Sequence, residues 1–192
     1  MMGQAGHAEV IGTMGQLPPG AVTLVQSAEE ARGVQPPAPE RLAFITQTTL
    51  SVDETAEIVA ILRERFPSIR GPRREDICYA TTNRQAAVKA VAQECDVVIV
   101  IGSPNSHNSQ RLREVAERAT STGRAILLPR AGSLDWSMLD GVRTLGLTAG
   151  ASAPEALVQE LLGRLAERYT LSFEERRVTE ENLVFRLPAP LN

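Results

Sequence analysis

The sequence predicts an α/β protein made of two consecutive domains, each a parallel sheet with helices on its faces. Three observations lead there. Apolar runs of strand length alternate with helix-period stretches over most of the chain. Val97-Val98-Ile99-Val100-Ile101 is an unbroken β-branched run, the pattern of a parallel strand buried on both faces. Three segments rich in Ser, Thr and Asn stand between an apolar run and a helix pattern, where the strand-to-helix loops of a parallel sheet belong.

The elements follow in order. Gly6-His7-Ala8-Glu9-Val10 reads as a loop that follows a strand, and Met1-Met2 are too short to supply that strand. Leu42-Ala43-Phe44-Ile45 reads as a short buried strand, followed by Thr46-Gln47-Thr48-Thr49-Leu50. Ser51 and Glu54 fit a capping box, and Val52, Ala56, Val59, Leu62 and Phe66 continue at helical spacing. Pro67 and Gly71-Pro72 end that unit. A second unit opens at Ile77-Cys78-Tyr79-Ala80, with Thr82 and Gln85 as a second capping box and Val88, Val91 and Ala92 as its stripe. After the Val97–Ile101 strand, Gly102 to Ser109 leads into a helix bearing Leu112, Val115 and Ala119, with Gly123 as its stop. Ala125–Leu128 and Thr144–Leu147 are further strands, and Leu157, Leu161 and Leu165 mark a last helix. The domains so predicted are 1–72 and 73–168. The tail, 169–192, is charged and holds one short strand at Leu183-Val184-Phe185.

Composition narrows the class. The chain has 192 residues, 43% hydrophobic and 22% charged, enough for a packed core. Net charge is −3 and no long basic run occurs, which speaks against nucleic acid as a partner. No apolar stretch approaches the length of a membrane span, and no signal peptide is expected at the start. Two cysteines make no disulfide framework, so the cytoplasm is the default compartment.

The candidate site residues sit in the loops. Thr46–Thr49, Ser106–Ser109 and Thr148–Ser152 each put hydroxyl or amide side chains beside free helix N-terminal N–H groups. Together these favour an anion such as phosphate, although Ser, Thr and Asn also cap helices with no ligand at all. Cys78, where a strand or turn meets a helix, could be a metal ligand or nucleophile, or a small buried hydrophobe. Cys95, at the start of a buried strand, fits the second description. His7 and Glu9, two apart on a glycine-bearing loop, could supply an anion contact and a proton donor, or could be solvated.

Five segments then match one family. Gly6-His7-Ala8-Glu9-Val10-Ile11-Gly12-Thr13-Met14-Gly15-Gln16 resembles the GHPEVxGTxGQ segment of 4-hydroxy-3-methylbut-2-enyl diphosphate reductases. Thr46 to Ser51 resembles their TQTTLS segment, and Asp76 to Gln85 their DICxATxxRQ segment. Gly102 to Ser109 is similar to GSxNSSNS and Thr148 to Pro154 to TAGASxP. All five occur in the family's order.

The resemblance implies roles. Cys78 resembles one of the three cysteines that hold a 4Fe–4S cluster. Glu9 resembles the acid that delivers protons, and Thr48 the residue that orients the substrate's hydroxyl. His7, Ser106, Asn108 and Ser152 resemble contacts to the diphosphate, and His107 stands where a serine usually makes such a contact. The implied reaction is reductive dehydroxylation of the allylic diphosphate, with ferredoxin or flavodoxin as electron donor. Gln4 departs from the family's usual histidine and Ala8 from its proline. The family arranges three α/β domains, trefoil-like, around the cluster. This chain resembles the second, without its first strand, then the third and the tail. Three functions follow: a reductase whose start is lost, a split enzyme completed by a separate chain, or a remnant that binds a diphosphate without catalysis.

Overall fold

The computed structural model describes residues 1–180. It is α/β, and its centre is a three-stranded parallel sheet in the order β2-β1-β3. The strands are β1 (Val97–Ile101), β2 (Ala125–Leu128) and β3 (Leu145–Ala149). β1 pairs on both sides, Ile99 with Ile126 and Leu147. All five residues of β1 are buried, as a central strand covered on both faces requires.

The period of two along β1 sorts its side chains. Val97, Ile99 and Ile101 join Leu128, Leu161 and Leu165 on one face. Val98 and Val100 join Val88, Ala92, Leu112 and Val115 on the other. The first face is covered by α6 (Glu155–Ala166), the second by α4 (Tyr79–Ala92) and α5 (His107–Ala119). Short 3-10 turns at Ala131–Ser133 and Trp136–Leu139 connect β2 to β3.

Residues 1–72 hold α1 (Ala8–Met14), α2 (Ala28–Gly33) and α3 (Val52–Arg65) around a separate apolar cluster. Met2, Val25, Ala31, Phe44, Ile58 and Leu62 form that cluster. The strand expected at Leu42–Ile45 is reduced to isolated parallel bridges, Ala43 with Arg70 and Thr46 with Met2. Met2 also bridges Val25. As the sequence reading expected, Met1-Met2 make no strand, and Met2 contributes one rung between the two flanking runs. It is 1% exposed, while Ala43 and Ile45 lie open.

Other local expectations are sharpened or corrected. Ala8 and Glu9 lie on a helix rather than a loop, because the His7 side chain caps α1 by accepting the Glu9 N–H. Of the strand or turn offered before the second helix, the turn is what forms. Cys78 is the N-cap of α4, with its carbonyl accepting from the N–H groups of Thr81 and Thr82. Thr82 consequently lies inside the helix, and Gln85 does not close a box with it. Gln85 is buried and reaches the start of α3, where it accepts from the Val52 N–H and donates to the Leu50 carbonyl. Residues 169–180 have no regular structure, and the strand expected at 183–185 lies outside the described residues.

Candidate functional site

The site begins with one residue, Thr48. Its N–H (2.9 Å) and its hydroxyl (3.0 Å) both donate to the Glu9 carboxylate. Its carbonyl accepts the Cys78 N–H at 3.0 Å. Residues from α1, the 46–50 loop and the tip of α4 are thereby tied into one chain. The sequence reading had proposed all three separately. Beside them, Asp76 accepts the Thr46 N–H at 2.8 Å and holds the loop in place.

A second group gathers at the C-terminal edge of the sheet. Ser106 and Asn108 follow β1 and Ser152 follows β3. The two strands are parallel neighbours, so both loops leave from one edge. They pack closely. A Cβ on Gly102 would lie 2.3 Å from Ser109 Oγ, and one on Gly150 would lie 2.2 Å from it. Only glycine fits at either position, and Ser109 is wedged between the two loops. The Ser106 hydroxyl accepts from the Ser109 N–H, at 3.3 Å, and caps α5. Ser152 is exposed.

The two groups meet. Thr81, on the first turn of α4, donates its hydroxyl to Asn108 Oδ1 at 3.3 Å. The rings of His7 and His107 touch edge to face at 4.8 Å. His7 Nδ1 accepts the Glu9 N–H, so in the neutral ring the proton sits on Nε2 and is free to donate. His107 is more committed. Its Nδ1 meets Gln47 Nε2 at 3.3 Å and Thr49 Oγ1 at 3.5 Å, and its Nε2 meets the Gln4 side-chain oxygen. Burial pushes the His107 pKa below the ordinary histidine value, and His7 and Arg111 push the same way. For His107 to hold an anion, the contact with Gln4 must open.

Several contributors escaped the sequence reading. Gln47 is fully buried and holds the Gln4 N–H as well as His107. Arg84 donates to the Ala149 carbonyl at 3.2 Å, at the same sheet edge. Asn108 Nδ2 and Arg84 Nε are buried donors with no partner among the described residues. Donors of this kind suit an anion. Gln47 and Arg84 lie inside segments that the motif comparison quoted, which was the available signal.

The cysteines part company. Cys78 is half-buried at the head of α4, with no side-chain capping bond. Cys95 is 7% exposed, beyond the tail of the same helix, in the apolar cluster with Val98. Burial, Glu94 and Asp96 all raise its thiol pKa, which suits an inert thiol. The 14 residues of α4 hold the two apart. At about 1.5 Å of rise per residue that is on the order of 20 Å. Among the described residues no group of three His, Cys, Asp or Glu is placed to hold a metal. A cubane takes several thiolates around one centre. This chain alone does not fit one, although Cys78 suits a single corner.

A family model described as LytB protein matches residues 1–166. The chain belongs to that family. Among LytB relatives, 4-hydroxy-3-methylbut-2-enyl diphosphate reductase of Gluconobacter oxydans is 71% identical, covering 100% of this chain and 56% of that protein. A reductase of the same name from Rhodopseudomonas palustris is 59% identical, covering 100% of this chain and 59% of its own length. The solved E-1-hydroxy-2-methyl-but-2-enyl-4-diphosphate reductase of Plasmodium falciparum superposes with a TM-score of 0.90 at 33% identity, over 99% of this chain and 59% of that one. The chain thus spans somewhat over half the length of the LytB proteins it matches. Among the described residues no helix is long and apolar enough to cross a membrane.

Proposed function

We propose that this chain is the part of a 4-hydroxy-3-methylbut-2-enyl diphosphate reductase that grips the diphosphate and delivers the proton. The observation that carries this reading is the Glu9–Thr48–Cys78 chain of hydrogen bonds, set against a sheet edge that carries Ser106, Asn108 and Ser152. A carboxylic acid and a hydroxyl meet, tied to the backbone of Cys78, beside an edge furnished with hydroxyls, an amide and loop N–H groups. In such a site the diphosphate would lie against the 106–108 and 150–152 loops and His7 Nε2, with its charge met by donors rather than water. Thr48 would then hold the substrate's hydroxyl, and Glu9, already bound to Thr48, would protonate it as water leaves.

The whole reaction replaces the hydroxyl by hydrogen, consuming two electrons and two protons and releasing water. Electrons would come from ferredoxin or flavodoxin through a 4Fe–4S cluster in the cytoplasm. Cys78 would hold one iron of that cluster, and the remaining thiolates would come from outside this chain. In this reading residues 1–72 and 73–168 are the family's second and third α/β domains, and the first is supplied upstream or by a separate chain.

The test is Glu9→Gln in the completed enzyme. Turnover should fall roughly 10²–10⁴-fold, the usual worth of a positioned general acid, while cluster absorption and substrate binding persist. Near-normal turnover would overturn the assignment. A second reading, a diphosphate binder without redox chemistry, is favoured by the separation of Cys78 from Cys95 across α4. Anaerobic reconstitution of the 192-residue chain with iron and sulfide, without and with the missing domain, decides between them. Under either reading this chain alone forms little cluster. Under the first, adding the missing domain restores both cluster and turnover.

A further inference from the structure

Helices α4 and α5 lie side by side on one face of the sheet, and their basic side chains are not treated alike. Lys89 reaches Asp53, Arg111 reaches Glu54 and Glu114, Arg113 reaches Glu117, and Arg118 reaches Glu54. Arg84 has no carboxylate partner among the described residues. It is nevertheless half-buried. A charge drawn out of water costs free energy unless an opposite charge or good hydrogen bonds meet it. Arg84 has one such bond, from a terminal nitrogen to the Ala149 carbonyl at 3.2 Å. Its Nε is buried and donates to nothing among the described residues.

Its position explains what the charge is for. Residues three apart share one side of a helix, so Thr81 and Arg84 point the same way from α4. Thr81 meets Asn108, at the head of α5, and Arg84 meets Ala149, the last residue of β3. Each therefore touches one of the two loops at the sheet edge. Those loops are themselves in contact through Ser109, against which Gly102 and Gly150 both pack. The guanidinium thus stands directly behind the pair. The donors that the loops offer in front are hydroxyls, an amide and N–H groups, none of which carries a net charge. A diphosphate brings several negative charges, and the Glu9 carboxylate adds another nearby.

We propose that Arg84 is the counter-charge of this anion site, a positioning residue that holds the 149–152 loop by its carbonyl and meets the ligand's negative charge from behind it. The inference rests on reading that edge as the diphosphate grip. A brace alone needs no charge, because a neutral amide donates to a carbonyl as well and costs less to bury. A guanidinium keeps its proton under all ordinary conditions, so its charge is a fixed feature of the fold. In the free chain that charge is unopposed, and a bound anion opposes it. The half-buried setting makes the attraction stronger than it would be in water.

The experiment titrates the full 192-residue chain with inorganic pyrophosphate and with inorganic phosphate, by calorimetry. Arg84→Gln keeps a donor for the Ala149 carbonyl and removes the charge, whereas Arg84→Lys keeps the charge. Arg130→Gln removes an exposed charge beyond the end of β2, on the opposite side of β1 from β3. Arg84→Gln should weaken pyrophosphate about tenfold or more, and phosphate less, since the attraction scales with ligand charge. Arg84→Lys should retain most of the affinity, and Arg130→Gln should leave it within about twofold, because exposed charges are screened. Equal losses on the two probes would reduce Arg84 to a loop brace and overturn the proposal. So would a loss with Arg84→Lys, or with Arg130→Gln, as large as that with Arg84→Gln. Ser152→Ala separates this inference from the reading beneath it. A loss there with none in Arg84→Gln overturns the inference and leaves the diphosphate grip standing, while no binding of pyrophosphate to the native chain overturns both. Should Arg84→Gln not fold, the Arg84 Nε–H signal of the native chain gives the answer by NMR. It should shift further with saturating pyrophosphate than with saturating phosphate, and no shift with either overturns the proposal.

Discussion

The ladder at 97–149 and the ladder at 1–70 are both parallel, both lie beside packed helices, and differ in the length of their central run. β1 has five residues, pairs along its whole length on both sides and is buried throughout. The central run at Met2 pairs at two bridges only. The outer runs respond accordingly. β2 and β3 are regular strands, whereas 42–46 keeps its course but leaves Ala43 and Ile45 open. A parallel strand is held by its neighbour's hydrogen bonds, so the middle of a sheet determines how much of the edge is ordered.

Truncating the two centres sharpens this contrast most. Ile99→Ala should cost about 2–5 kcal/mol in global unfolding, read from denaturant melts, because the side chain fills a closed core. Met2→Ala removes an equally buried side chain, yet should act mainly on local opening. Exchange at Val25 and Gln47 should quicken, with a smaller shift of the global midpoint. Equal midpoint shifts would break the comparison and make the short ladder part of the same cooperative unit.

Next in size is the staple between the halves. Gln85→Ala leaves the Val52 N–H and the Leu50 carbonyl without their partner. The expected cost is about 1–3 kcal/mol, the worth of a buried polar group left unmet. Faster exchange at Val52 in that variant places the damage at the head of α3. Unchanged stability would mean that the other contacts between the halves, such as Thr48–Cys78 and Thr46–Asp76, carry the junction.

Smaller again is the pair formed by the two departures from the family pattern. The motif resemblance puts histidine, as a rule, at the place of Gln4 and serine at that of His107, and here the two side chains are in contact. Gln4→His together with His107→Ser should therefore disturb the fold less than the sum of the single changes, by about 0.5 kcal/mol or more in a double-mutant cycle. Strict additivity would make the two departures independent.

The smallest effect is a pH dependence. The folded state holds the His107 pKa below the unfolded value near 6.5. The unfolded chain therefore binds the proton first as pH falls. The stability from neutral His107 is whole above that value and is lost as pH falls through it towards the folded pKa. Asp96, whose pKa the Thr144 and Arg143 N–H groups lower, acts only below its ordinary 3.8 and does not overlap. Denaturant melts between pH 8 and 5 should slope downward for the native chain and less so for His107→Ser. Equal slopes would remove His107 as the source.

What the sequence made legible was whatever depends on neighbours in the chain. The β-branched run of β1, the Ser51 cap and the stripe of α6 are local patterns, and each formed where expected. Gln85 misled because its spacing from Thr82 is that of a capping box. Its amide instead met the head of α3, a contact that no local window contains. The 42–45 run misled for the opposite reason. Its composition suits a strand, but a strand also requires a partner along its length. At the site, the loops were legible as anion-suited. The link from Glu9 through Thr48 to Cys78 was not, since it joins three distant stretches through backbone atoms.

That link has a mechanical consequence. Two of its three contacts use the Thr48 peptide groups, and the only rotatable side chain at its centre is one short hydroxyl arm. Peptide units are planar and stiff. The head of α4 and the Glu9 carboxylate are therefore joined across the main chain of one residue, with only the φ and ψ of Thr48 between the two peptide groups. Movement at the head of α4 reaches the carboxylate through that backbone, and the Glu9 side chain is the flexible arm that carries it on to α1.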